Sequence, residues 1–171
     1  MNPRSTARLR VWLELLPNEE QFVVVENHSN DRTRVALRSL ATGEVLDSDR
    51  LHNRNRTASG LAVSPDGTLA VVLSEMSAFV YSTSKLRRTP QVVRNDNKKH
   101  FTAVAFHPSG RFLAATSNDE TVKLYDTTTW EVARTFTWDI GRMRSIAFSP
   151  DGTLAAAGSD KGKVVVWDVD L

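Results

Sequence analysis

Apolar side chains along most of this chain recur at every second position, the signature of strands with one face turned inward. Val104 and Phe106, then Leu113 and Ala115, then Val122 and Leu124 alternate with other residues. No segment sustains the roughly 3.6-residue period of a helix packed on a core. The runs are short and separated by turn chemistry. Ser64-Pro65-Asp66-Gly67, His107-Pro108-Ser109-Gly110 and Ser149-Pro150-Asp151-Gly152 each place Pro where a turn begins and Gly where a positive φ closes it. Thr127-Thr128-Thr129-Trp130 and Ala41-Thr42-Gly43-Glu44 read as further turns. The pattern predicts an all-β chain of short antiparallel strands.

The pattern also repeats. Residues 61–82, 104–126 and 146–168 superimpose, with Pro65, Pro108 and Pro150 spaced by 43 and 42 residues. Tyr81, Tyr125 and Trp167 follow at intervals of 44 and 42. Two landmarks that keep one period mark a repeat architecture. A degraded copy precedes these: residues 34–46 align with 121–133 at an offset of 87, two periods, and Pro17 takes the place of Pro108. The longer Pro17–Pro65 gap of 48 fits an insertion around His28–Arg32. Each copy predicts four strands, a to d. Strand a precedes the Pro-Gly turn, b follows it, and c ends at the Tyr or Trp. Strand d is represented by residues 91–94 and 132–136. A sheet this small exposes two faces and needs a neighbour on each.

At the level of motif the chain resembles the WD-repeat family. Val164-Val165-Val166-Trp167-Asp168 matches that family's strand c in full. Residues 116–126, Thr-Ser-Asn-Asp-Glu-Thr-Val-Lys-Leu-Tyr-Asp, match its Gly-Ser-x-Asp-x-Thr-Val-Arg-Leu-Trp-Asp run with Tyr for Trp. The resemblance implies β-propeller blades of four antiparallel strands in an incomplete ring over residues 8–171. The blades are expected at 8–47, 57–94, 101–136 and 143–171, the last without its outer strand. The family's Gly-His pair before strand a is absent: Asp96-Asn97 and Trp138-Asp139 stand there. The family's His–Ser–Asp–Trp hydrogen-bond network is therefore expected to be incomplete.

Composition bounds the chemistry. The 171 residues are 40% hydrophobic and 25% charged, with a formal net charge of +2, which fits a globular protein and not a nucleic-acid-binding tail. No apolar run approaches the roughly 18 residues that span a bilayer, and Arg8, Arg10 and Glu14 interrupt any leader-like stretch. Cysteine is absent, so thiolate chemistry and disulfides are excluded. A cytoplasmic location is the expectation. Asn27-His28-Ser29 and Asn55-Arg56-Thr57 fit a glycosylation pattern, but in this setting read as chance.

Catalytic and ligand motifs do not assemble. Gly158 to Lys163 is a degenerate phosphate loop set between strands, with no helix N-terminus behind it, and reads as a tight b–c turn. His28, His52, His100 and His107 lack zinc spacing, and His107 in particular reads as an exposed turn residue. Acid pairs such as Asp47/Asp49 and Asp119/Glu120 read as solvated loops. No cofactor, metal or catalytic residue is expected.

One charge pattern remains. In the fold the resemblance implies, d–a and b–c loops emerge at one end, the usual binding face of the family. The d–a loops carry Arg50, His52, Arg54 and Arg56, then Arg94, Lys98, Lys99 and His100, then Trp138, Arg142 and Arg144. Of these, Arg50, His52, Arg54, Arg56, Lys98, Lys99, Trp138 and Arg142 are the expected partner-binding residues, for a protein or peptide partner of acidic character. The expected function is a non-catalytic scaffold for protein–protein interaction. Alternatives are a lactonase-like propeller hydrolase, or the docking portion of a larger signalling protein. Self-association, or complementation by further blades, is expected to cover the sheet faces left bare at either end of the stack. Neither a membrane nor nucleic acid is an expected partner.

Overall fold

The structure, a computed structural model, describes residues 10–28, 32–51 and 57–169. Among the described residues, fifteen strands form four antiparallel sheets. The first holds β1 (Val11–Leu15), β2 (Gln21–His28), β3 (Arg32–Ser39) and β4 (Val45–Arg50). The second holds β5 (Gly60–Val63), β6 (Leu69–Ser74), β7 (Ser77–Ser82) and β8 (Gln91–Arg94). The third holds β9 (Phe101–Phe106), β10 (Phe112–Ser117), β11 (Thr121–Asp126) and β12 (Val132–Thr137). In the fourth, β13 (Met143–Phe148), β14 (Leu154–Ser159) and β15 (Val164–Asp168) pair in order. Neighbours in sequence are neighbours in each sheet, so every connection within a sheet is a hairpin. No helix occurs among the described residues, and no sheet closes into a barrel.

The sheets stack in chain order, inner strand against inner strand: β1 on β5, β5 on β9, β9 on β13. Period-two alternation then puts a separate apolar cluster in each seam. Val23, Val25, Val35 and Leu37 of the first sheet meet Leu61, Val72, Phe79 and Tyr81 of the second. Val71, Leu73, Val80 and Val93 meet Phe101, Leu113, Ala115 and Tyr125. Ala114, Val122 and Leu124 meet Met143, Ala155 and Ala157, with Trp167 packed beside them. No comparable packing joins β13 back to β1 among the described residues.

The a–b turns are built by their own side chains. The Ser64 and Ser149 hydroxyls donate to Asp66 (2.6 Å) and Asp151 (2.5 Å), which accept from the N–H groups of Thr68 and Thr153. Gly67, Gly110 and Gly152 close the turns at φ of 73°, 73° and 77°. Each glycine lies under the preceding turn: Gly67 against Pro17, Gly110 against Pro65, Gly152 against His107.

Two sequence expectations are corrected here. His107 is not an exposed turn residue but only 8% exposed. Its Nδ1 accepts from the Ser109 N–H (3.1 Å), so the proton sits on Nε2, which donates to the Gly152 carbonyl at 2.9 Å. Phe112 and Phe148 approach its ring edge-to-face. A histidine substituted for the turn serine can cap its own turn and still reach the next sheet. Asp47 and Asp49 are not loop residues either: both lie on β4. Asp47 accepts from the Leu86 N–H (2.8 Å) and pairs with Arg87 (3.1 Å), tying the outer edges of the first two sheets.

Candidate interaction face

The loop end of the stack is stitched by backbone bonds between d–a loops and b–c turns. The Asn95 N–H donates to the Met76 carbonyl (2.9 Å), that of Phe101 to Glu75 (2.7 Å) and that of Asn118 to His100 (3.0 Å). In the fourth sheet, Asp160 N–H donates to the Arg142 carbonyl, and Arg142 N–H returns a bond to the Asp160 carboxylate at 3.1 Å. The two loop sets therefore present one surface held by the sheets below.

Beneath the 95–100 loop lies a buried polar cluster. Lys123, 4% exposed, donates from Nζ to Asn95 Oδ1 (2.9 Å) and to Asp96, with Asp119 at 3.8 Å. Asn95 Nδ2 donates to Ser117 Oγ (2.9 Å) and to the Lys99 carbonyl (2.9 Å). Asp119 caps the b–c turn through the N–H and hydroxyl of Thr121. The Lys123 hydrogen bond is the main reason the Asp96 carboxyl titrates below its usual range. This cluster does the work of the missing Gly-His network: it fixes the d–a loop to the b–c turn with an asparagine and a lysine. Burial raises the Tyr125 phenol, and the charges of Asp96 and Asp119 raise it further.

The expected partner-binding residues fall into three groups. Lys98 and Lys99 are exposed on the loop after β8, Lys98 in a left-handed backbone conformation with φ 58°. Arg142 is exposed at the matching place before β13. Arg50 is exposed but ends strand β4 and is not in a loop. His52, Arg54 and Arg56 lie outside the described residues. Trp138 is half-buried and stacks on Phe136 (5.7 Å, 6° between planes) with Trp167 at 4.6 Å, so its ring fills the seam between the third and fourth sheets.

Three further residues bear on this face: Arg94 and Arg144, which the sequence places on the d–a loops, and Lys123, which sequence reasoning missed. Arg94 ends β8 beside a cavity of about 440 Å³ that Met76, Phe79, Val92, Asn95 and Lys98 also line. Arg144 donates to Asn118 (2.9 Å) and pairs with Asp160 (3.4 Å). Lys123 carried a signal that went unread: alternation puts it on the same face of β11 as Tyr125, pointing inward. No group of three or more His, Cys, Asp and Glu placed to hold a metal ion occurs among the described residues.

Comparison with known proteins agrees with the repeat. The family description "WD domain, G-beta repeat" matches residues 90–126 and 130–168. Each match spans a d strand and the a, b and c strands of the next sheet, β8 to β11 and β12 to β15. Target of rapamycin complex subunit wat1 of Schizosaccharomyces pombe is 24% identical over 174 residues, 77% of this chain and 54% of that protein. Serine-threonine kinase receptor-associated protein of Gallus gallus is 25% identical over 178 residues, 95% of this chain and 49% of that protein. Actin-interacting protein 1 of Caenorhabditis elegans is 28% identical, covering 65% and 25%. The chain thus spans about half the length of the first two relatives and a quarter of the third. The chain carries two WD40 repeats, one from β8 to β11 and one from β12 to β15.

Proposed function

We propose that the chain is a non-catalytic scaffold whose loop end docks an acidic segment of a protein partner. The reading rests above all on how charge is used at that end. Arg94, Lys98, Lys99 and Arg142 are exposed, with no carboxylate in salt-bridge range among the described residues. The acids beside them are engaged: Asp96 by Lys123, Asp160 by Arg144 and the Arg142 N–H. Glu120 is half-buried, and Asp139 lies exposed beyond Trp138. The surface therefore offers cations whose counter-charge has to come from outside. The relatives' names, a complex subunit, a receptor-associated protein and an actin-interacting protein, describe association with other proteins, which supports the scaffold reading.

The test is a Lys98→Glu, Lys99→Glu, Arg142→Glu variant, used as bait beside the unaltered chain, with captured proteins identified by mass spectrometry. Partners captured by the unaltered chain should be lost from the variant and released by added salt, because exposed charges are screened within about 8–10 Å. Partners retained by the variant would refute the cationic face. The hydrolase alternative is tested by a lactone and ester panel with divalent ions. Turnover there would replace the scaffold reading.

A further inference from the structure

Ser77 and Phe79 on β7 stand opposite Arg94 and Val92 on β8 as cross-strand partners, so these four side chains share one side of the second sheet. With Met76 in the b–c turn, and Asn95 and Lys98 in the loop after β8, they line the cavity of about 440 Å³. That volume lies within the roughly 300–1,000 Å³ of pockets that bury small ligands. The floor is apolar. Phe79 is 7% exposed, Met76 is half-buried, and Val92 is 42% exposed beside the buried Val93. The rim is cationic, since Arg94 and Lys98 are both exposed there.

The walls are fixed before anything binds. The Asn95 N–H donates to the Met76 carbonyl at 2.9 Å, which ties the loop wall to the turn wall. The Lys98 N–H donates to the Asn95 carbonyl at 3.1 Å, with Lys98 held at a φ of 58° that an L side chain adopts only where its surroundings impose it. Asn95 is also gripped from the third sheet, by Lys123 Nζ and Ser117 Oγ, each at 2.9 Å, which keeps the loop out of the cavity. A pocket shaped in advance spares its ligand the cost of ordering it. The acids nearby are engaged: Asp96 with Lys123, while Glu75 is half-buried and has contacts of its own.

We propose that this pocket seats an aromatic side chain of an acidic protein segment, with carboxylates on either side of that ring paired to Arg94 and Lys98. This rests on the loop end docking an acidic segment, and adds what such a segment has to carry. Three features select a ring. Met76 brings a thioether, which packs favourably on aromatic edges. Phe79 offers an aromatic partner at the floor. Arg94 and Lys98 bring cations that a ring face attracts. Charge selects the flanks, because Lys99 follows Lys98 in the loop and no carboxylate pairs with these three cations among the described residues. A desolvated aromatic anchor inside a polar rim is the arrangement in which few residues carry most of the binding energy.

The test titrates the full chain, isotope-labelled for amide resonances, with three peptides. One holds a phenylalanine between pairs of aspartates, the second replaces the phenylalanine by alanine, and the third replaces the aspartates by asparagine. The first should shift the amides of Met76, Val92 and Lys98 and bind about tenfold more tightly than either analogue. Val92→Lys separates pocket from charge: it spoils the apolar floor, adds a cation, and alters a side chain already exposed to solvent. It should weaken the phenylalanine peptide about tenfold and leave the alanine peptide no weaker. If both aspartate peptides bind alike, Val92→Lys changes neither, and the Lys98→Glu, Lys99→Glu, Arg142→Glu variant loses both, the pocket is overturned and the acidic docking surface stands. A phenylalanine peptide that still binds this triple variant, or that is matched by its asparagine analogue, would overturn the pocket and the acidic reading together. No saturable shift with any peptide would overturn the pocket alone, since the acidic reading is judged on captured partners.

Discussion

Gly152 combines two constraints that Gly162 separates. Both hold a left-handed backbone, φ 77° and 71°. A Cβ on Gly162 meets nothing within 4 Å, while one on Gly152 would sit 2.5 Å from His107 Nε2. Valine at 162 should therefore cost only backbone strain, about 1–2 kcal/mol. Gly152→Val should cost about 3–4 kcal/mol, because it also expels the imidazole from its bond to the Gly152 carbonyl. Urea denaturation of the two variants measures the difference. In a His107→Ala background the excess at Gly152 should disappear; an excess that persists would mean that His107 is not what crowds the turn. Tyr125 makes the opposite case. Its hydroxyl is buried without a hydrogen-bond partner among the described residues, and Ala115 lies in the same cluster. An unpaired buried hydroxyl costs about 1–3 kcal/mol, so Tyr125→Phe should stabilise the chain by a fraction of that, and a fall in melting temperature would reveal a partner. The turn glycines were legible from sequence because Pro and Gly fix backbone angles locally. The burial of His107 was not, because it depends on where the next turn lies.

At the scale of the element, the a–b turn is a carboxylate-centred device. Asp66 and Asp151 titrate below the usual aspartate range, chiefly because the Ser64 and Ser149 hydroxyls donate to them, with the N–H groups of Thr68 and Thr153 adding to the effect. The folded state therefore binds these protons less tightly than the unfolded chain does. Their stabilisation is complete above about pH 4 and is lost as pH falls through the lower folded values. Asp66→Asn with Asp151→Asn should lower the melting temperature at neutral pH and flatten its dependence on pH below about 4. An acid limb unchanged by the two substitutions would assign acid lability to other carboxylates. Strand identity was legible because period two is local. Strand ends were less so: Asp47, Asp49 and Arg50 read as loop, yet Val45–Arg50 pairs with β3. Their alternation, Leu46 out and Asp47 toward the second sheet, reverses the usual apolar-in pattern, because Asp47 meets Arg87 and the Leu86 N–H instead of a hydrocarbon neighbour. The candidate site was legible as a set of charges on loops. Its support was not: Asn95 and Lys123 lie 28 residues apart and meet only when β8 and β11 are placed in adjacent sheets.

At the scale of the molecule, the main packing of each sheet among the described residues is on the sheets before and after it, so stability is distributed along one dimension. The second and third sheets are covered on both faces. Val71, Val72 and Leu73 are 0% exposed on β6, and Leu113, Ala114 and Ala115 at most 1% on β10. The first and fourth sheets carry exposed apolar side chains, Val11, Leu13 and Leu15 on the one and Val164 and Val166 on the other, and β15 also forms an edge of its sheet. Opening free energies should follow this order, since local unfolding is least costly where few apolar contacts are lost. Amide hydrogen exchange on dilute protein should be slowest in β6 and β10, intermediate in β3 and β13, and fastest in β15. Uniform protection across all four sheets would instead make the stack a single cooperative unit.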